Sequence, residues 1–120
     1  MFEIEDVAFD PWNAGTLEAD ATEAGMNVIE FGQNTKNYSF PTKEFLGMLL
    51  DAMFEHGGNP VLAWMASNLV LVTDHNGNKM PSKKNTKARI DGIAATIMAM
   101  GRALLGEEDG DRLTRGILIL

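Results

Sequence analysis

Residues 4–31 read IEDVAFDPWNAGTLEADATEAGMNVIEF, and this stretch decides the predicted fold class. Strand-forming apolar side chains over residues 3–9, followed by Pro11, predict a strand that stops at the proline. Residues 14–24 favour a helix, and residues 26–31 predict a second strand. A strand, a helix and a strand in this order predict a parallel pair joined by a helical crossover. The chain is therefore expected to have an α/β fold.

The rest of the sequence predicts three further helices and a small β-hairpin. The predicted elements are a polar loop over 32–39, a helix from Pro41 to Gly57, a helix over 61–67, a strand over 69–73 and a helix over about 86–105. The Asn76-Gly77 pair predicts the hairpin turn, and Pro81 predicts a short returning arm. We expect one domain over residues 1–105, followed by an acidic linker and an apolar tail over 106–120.

Composition narrows the class of protein. Hydrophobic residues make up 45% of the 120 residues and charged residues 22%, which is typical of a globular domain with a core. The absence of cysteine excludes disulfides, thiolate metal sites and cysteine nucleophiles. No apolar run is long enough for a membrane helix, and the acidic start does not resemble a signal peptide. These features predict a cytosolic protein.

The charges are distributed unevenly. The formal net charge is −7, and residues 1–35 hold eight acidic side chains and no basic one. Residues 75–90 hold no acidic side chain, and a basic segment over 79–89 carries five of the ten basic residues: Lys79, Lys83, Lys84, Lys87 and Arg89. Two interpretations stay open, a solvated acidic face with a solvated basic loop, or an acidic site beside a phosphate-binding strip.

Two aspartates are the candidate chemical groups. Asp10 follows the first strand, where the carboxyl ends of strands in α/β sheets hold ligands, but it also suits a simple turn. Asp91 lies beside the buried stripe of the last helix, but an acid near a helix start also favours the helix dipole. Together, two carboxylates would suit Mg²⁺ or Mn²⁺. No phosphate-binding glycine loop occurs, and His56 and His75 lie in no catalytic motif.

Three segments carry a resemblance to a known family. They are HGGNPVLAWMASNLVL at 56–71, DHNGNKMPSKK at 74–84 and RIDGIAATIMAMGRAL at 89–104. Together they resemble the C-terminal nuclease part of the large terminase subunit of tailed bacteriophages. VAFDPWNAGTL at 7–17 is similar to the acidic-strand segment of that family. The resemblance covers about residues 4–105.

The resemblance implies a partial ribonuclease H-like fold and a two-metal-ion endonuclease that cleaves concatemeric duplex DNA during genome packaging. Asp10 and Asp91 match acids of the family's metal site, which would bind Mg²⁺ or Mn²⁺. The cations of the basic segment would contact the DNA backbone without reading its sequence. The implied partners are duplex DNA, the ATPase and upstream nuclease segment, the small terminase subunit and the portal. The implied location is the cytoplasm of the bacterial host, at the procapsid.

The sequence departs from the family pattern before Asp10. The family carries a first acid on an earlier strand, whereas nine residues precede Asp10 here, so another segment or chain would have to supply that acid. Three interpretations stay open: an endonuclease component, a DNA- or partner-docking module without hydrolysis, and a half-domain that only pairs with another chain. The first strand would also need a cover, either a second copy of the chain or a strand such as Ile117–Leu120, and the upstream half of the nuclease would be its natural occupant if that half is made separately.

Overall fold

The computed structural model describes residues 3–12 and 14–105. This part of the chain divides into two compact units, with the boundary between Gln33 and Asn34. The predicted tail, including Ile117–Leu120, lies outside the described residues. None of the helices in the described part of the chain has the length and apolar character needed to cross a bilayer.

The first unit contains the predicted strand–helix–strand arrangement. Strand β1 (Asp6–Phe9) is followed by helix α1 (Gly15–Glu23) and strand β2 (Asn27–Glu30). The two strands pair in parallel, with Asp6 opposite Asn27 and Phe9 opposite Glu30, which confirms the predicted crossover. β1 is shorter than predicted. Gly25 ends α1 with a φ of 80°, a backbone conformation that glycine adopts without a steric penalty.

Within residues 34–105, the second unit contains three helices and a hairpin. Its elements are α2 (Thr35–Leu50), α3 (Pro60–Ser67), β3 (Leu69–Thr73), β4 (Lys79–Lys83) and α4 (Asp91–Leu105). Helix α2 packs against α4 and β4, and α3 packs against α4. The most deeply buried side chains come from α2 and α4 and are Tyr38, Thr42, Thr96, Ile97 and Met100. The core of this unit therefore lies between these two helices.

Helix α2 begins earlier than predicted, because the segment expected to be a loop forms its first turns. The Asn34 side chain caps the helix by accepting a hydrogen bond from the Asn37 N–H at 2.9 Å. Pro41 consequently lies inside the helix rather than in its first turn. Proline inside a helix costs about 3 kcal/mol. The burial of the aromatic side chains of Tyr38 and Phe45, 1% and 3% exposed, offsets this cost.

The same helix also ends earlier than predicted, at Leu50 rather than near Gly57. The N–H of Met53 donates to Met48 O at 2.8 Å and that of Ala52 donates to Leu49 O at 3.3 Å. This is the hydrogen-bond pattern of a Schellman motif. Ala52 occupies the left-handed position with a φ of 54°, where glycine is usual. The predicted apolar stripe therefore breaks, and Leu50 is 87% exposed.

The β-hairpin confirms the predicted turn and corrects its returning arm. Gly77 lies in the left-handed region at φ 79°, and β3 and β4 pair over five residues each. Pro81 stands opposite Leu71, and bonded pairs at Asp74–Asn78 and Asn68–Lys84 fix the alternation of the ladder. Pro81 therefore occupies a pair without hydrogen bonds. Its missing N–H does not interrupt the arm.

The last helix has the predicted buried stripe but begins at Asp91 rather than near residue 86. Ile93, Ile97 and Met100 are buried, as the helical spacing predicts. Residues 85–90 form a loop instead, because the Asn85 side chain accepts hydrogen bonds from the backbone N–H groups of Lys87 and Ala88. Asp91 is thus the first residue of α4.

Candidate functional site

Asp10 lies immediately after β1, at the carboxyl end of the strand. Its side chain is half-buried, and Oδ1 accepts a hydrogen bond from the Trp12 N–H at 3.0 Å. The parallel ladder continues to this position, because the Phe31 N–H donates to Phe9 O at 2.9 Å. The turn role that the sequence left open is therefore present. One carboxylate oxygen remains without a hydrogen bond to the described residues.

Asp91 is the first residue of α4, and its side chain is exposed. The next residue, Gly92, approaches α3 so closely that an added Cβ would lie 2.9 Å from Met65 Sδ. The Gly92 N–H donates to that sulfur at 3.1 Å. An acid at a helix start is favoured by the helix dipole, so the position of Asp91 also fits the helix-dipole role that the sequence left open.

The metal prediction stays a prediction. Asp10 belongs to the first unit and Asp91 to the second. Within residues 3–12 and 14–105, no three histidine, aspartate or glutamate side chains form a cluster that could hold a metal ion. The donor chemistry itself fits, since both groups are carboxylates with oxygen available, the type of ligand that Mg²⁺ and Mn²⁺ prefer.

The basic segment runs from β4 into the start of α4. Lys79 is half-buried, and its Nζ lies 3.4 Å from Thr73 Oγ1. The other four cations are exposed: Lys83, Lys84, Lys87 and Arg89. The structure therefore presents four of the five predicted cations to solvent.

Burial alternates along the last part of this segment. Lys87, Arg89 and Asp91 are exposed, whereas Ala88 and Ile90 between them are buried. Burying the two apolar side chains fixes the backbone here and leaves the charged side chains in water. The basic segment consequently leads directly to the exposed carboxylate of Asp91.

Asp74 organises the hairpin turn, a role that sequence reasoning missed. Its Oδ1 accepts the N–H groups of Asn76 and Asn78, each at 2.9 Å. Its Oδ2 accepts hydrogen bonds from Asn78 Nδ2 at 2.9 Å and Thr35 Oγ1 at 2.8 Å. Because the Asn78 side chain and the other donors stabilise the charged form, the pKa of Asp74 falls to about 2. The turn is thereby attached to the first residue of α2.

Comparison with known proteins identifies the family. Residues 1–107 match the family described as terminase large subunit, endonuclease domain. The chain belongs to this family. The resemblance found in the sequence is therefore confirmed.

Two relatives and one solved structure are similar to this terminase-family chain. It is 33% identical over 114 residues to the large terminase subunit of Enterobacteria phage HK97, covering 92% of this chain and 23% of that protein. It is also 33% identical over 108 residues to protein YmfN of Escherichia coli strain K12, covering 88% of this chain and 24% of that protein. The chain thus spans about a quarter of these relatives.

The structural match covers a similar share of this chain and of its relative. The crystal structure of the HK97 bacteriophage large terminase matches with a TM-score of 0.73 and 33% identity, over 84% of this chain and 22% of that one. This similarity confirms the predicted α/β fold class of a partial ribonuclease H-like nuclease domain, with a parallel strand pair and a hairpin.

Proposed function

We propose that this chain is part of a metal-dependent endonuclease that cleaves concatemeric duplex DNA during viral genome packaging. Membership of the terminase endonuclease-domain family supports the proposal. The observation that carries it is the row of exposed Lys87, Arg89 and Asp91 at the start of α4. This row would bring a phosphate-binding surface to a carboxylate that suits a divalent cation.

Each group has a defined task in this proposal. The four exposed cations of the basic segment hold the DNA backbone by charge, which positions the duplex without reading its sequence. Asp10 and Asp91 would hold Mg²⁺ or Mn²⁺ through their carboxylate oxygens. When bound, such ions supply an activated water and stabilise the leaving oxygen in phosphodiester hydrolysis.

The partners follow from the same proposal. The chain would act with the terminase ATPase and an upstream nuclease segment, which would supply the family's first acid. The small terminase subunit and the portal would complete the machine, in the host cytoplasm at the procapsid. These partners are proposed from the family and from the matched quarter of the relatives' length.

The test compares metal binding and DNA nicking in matched variants. Asp10→Asn and Asp91→Asn each remove one carboxylate charge at nearly constant shape, and Asp20→Asn makes the same change on the exposed surface of α1. With supercoiled plasmid and Mn²⁺, we expect the first two variants to lose at least about 100-fold in nicking rate, because loss of even an outer-shell metal contact costs 10–100-fold. The Asp20 variant should match the unchanged chain.

Calorimetric titration with Mn²⁺ provides the second measurement. It should show binding that the Asp10 and Asp91 variants lose and the Asp20 variant keeps. The assays are run on the chain alone and with the preceding segment of a terminase nuclease. If both variants bind Mn²⁺ and nick DNA as the unchanged chain does, the metal site is elsewhere. DNA binding without nicking in either arrangement would favour the alternative, a docking module.

A further inference from the structure

Asn68 contacts both ends of the loop that carries three of the four exposed cations of the basic segment. It is the residue between α3 and β3, and its backbone oxygen accepts the Lys84 N–H at 2.9 Å. Its side-chain Nδ2 donates to Arg89 O at 3.1 Å. One residue therefore closes the chain between Lys84 and Arg89.

The loop between these two contacts is itself ordered by local hydrogen bonds. Asn85 Oδ1 accepts the N–H groups of Lys87 and Ala88, each at 3.0 Å. Ala88 is buried, at 5% exposure, and anchors the middle of the loop. The loop backbone is thus fixed at its ends and its centre, while the side chains of Lys84, Lys87 and Arg89 are exposed.

The side-chain amide of Asn68 is not needed to end helix α3. Asparagine is favoured after helices where the backbone turns left-handed, but Asn68 has φ −91° and ψ −7°, which residues of every type except proline adopt readily. Its own N–H donates to Met65 O at 3.1 Å, a contact that any of these residues would make. The contact specific to the asparagine side chain is the one with Arg89 O.

We propose that Asn68 is a positioning residue for DNA-backbone binding, because its side chain holds the loop of Lys87 and Arg89 in one conformation. This inference rests on the proposed function of the basic segment. A loop that is ordered before binding loses less conformational entropy when its cations engage phosphates. Without the Asn68 amide, the Arg89 end of the loop loses the side-chain contact that holds it to the α3–β3 junction.

The test uses two matched pairs of variants. Asn68→Ala removes the amide, and Ser67→Ala removes a neighbouring side-chain hydrogen bond, from Ser67 Oγ to Trp64 O at 2.6 Å, that does not involve the loop. Asn68→Asp keeps the side-chain shape but replaces the donor with an acceptor, and Ser67→Asp adds the same charge one residue away. The aspartate pair also serves if Asn68→Ala fails to fold.

Two readouts separate positioning from a general effect on stability. The first is the ¹⁵N heteronuclear NOE of the amides of residues 85–89 in the free chain, which should fall in both Asn68 variants and stay unchanged in both Ser67 variants. The second is affinity for a duplex at a temperature where all variants are folded. Each Asn68 variant should bind about three- to tenfold more weakly than its Ser67 control, from the cost of ordering the backbone of about one loop residue on binding.

The outcomes separate this inference from the function on which it rests. Equal NOE values and equal affinities in each matched pair would overturn it. A lower melting temperature in the Asn68 variants with unchanged affinity would also overturn it, since that is the result of a purely structural contact. An unchanged chain that binds no duplex would count against the proposed function, and the NOE comparison would still decide whether Asn68 orders the loop.

Discussion

Replacing Lys83, Lys84 and Lys87 together by alanine should abolish most of the salt dependence of DNA binding. Lys79 is half-buried against Thr73, so four exposed cations of the basic segment remain as phosphate contacts. Each contact with B-DNA contributes about −0.9 to the slope of log affinity against log salt, giving about −3.6. Between about 50 and 200 mM salt, the affinity of the unchanged chain should then fall about 150-fold.

The triple alanine variant leaves Arg89 as the exposed cation of the segment. Its slope should be about −0.9, and its affinity should fall only about 3.5-fold over the same range of salt. Fluorescence anisotropy with a labelled duplex measures both slopes, and two duplexes of different sequence should give the same values, because phosphate contacts carry no sequence information.

The control variants remove exposed cations of α2, Lys36→Ala and Lys43→Ala. Each should leave the slope unchanged. The reasoning fails if the unchanged chain has a slope shallower than about −1, since one contact would then account for all binding. It also fails if the α2 variants reduce the slope as much per residue as the triple variant does.

Two further predictions concern stability. Gly92→Ala should lower the free energy of unfolding, measured in urea, by about 1 kcal/mol. The new Cβ would lie 2.9 Å from Met65 Sδ and 3.2 Å from Leu62 Cδ1. The resulting overpacking outweighs the gain in helix propensity. Gly47→Ala, with nothing within 4 Å of the new Cβ, should instead raise the free energy of unfolding by up to about 1 kcal/mol. The pKa of Asp74, lowered from 3.8 to about 2, means that its carboxylate stabilises the fold above about pH 4 and loses this effect as the pH falls towards 2. The urea midpoint of Asp74→Asn should therefore change less than that of the unchanged chain over this range, and parallel curves would contradict the assignment.

The ends of helices α1 and α2 show what local sequence can predict. Both end with the same pair of backbone hydrogen bonds, from Gly25 and Met26 after α1 and from Ala52 and Met53 after α2. The first end was predicted because glycine occupies the left-handed position. The second was missed because alanine occupies it, with a φ of 54°. A glycine a few residues later, Gly57, gave a stronger but misplaced signal for the helix end.

The start of α2 was missed for a related reason. Pro41 is a strong local signal for a first helical turn, and the polar residues before it suggested a loop. Their side chains are not all solvated, however: Tyr38 and Ser39 are buried in the second unit. Burial against α4 and β4 is a tertiary effect, and the sequence pattern of α2 alone does not contain it.

The basic segment was predictable from its residue types, whereas the hydrogen bonds that order it were not. Charge clustering identified the basic segment, and the structure confirms that four of its cations are exposed. The hydrogen bonds that order the surrounding backbone join residues far apart in sequence, such as Asn68 with Arg89 and Thr35 with Asp74. Periodicity reports which side chains are buried, and it carries no information on such partners.

The register of the hairpin links a residue type in the sequence to a hydrogen-bond partner in the structure. Pro81 has no N–H, so it fits β4 only in a pair without hydrogen bonds, opposite Leu71. Bonded and unbonded pairs alternate along an antiparallel ladder, and Lys84 lies three residues after Pro81, so its N–H must point towards β3 and meets Asn68 O. If β4 instead turned its other edge towards β3, Pro81 would fall in a bonded pair and the Lys84 N–H would point away from Asn68. Pro81, predicted to interrupt the returning arm, therefore excludes the arrangement of β4 in which the basic loop would lose its first contact.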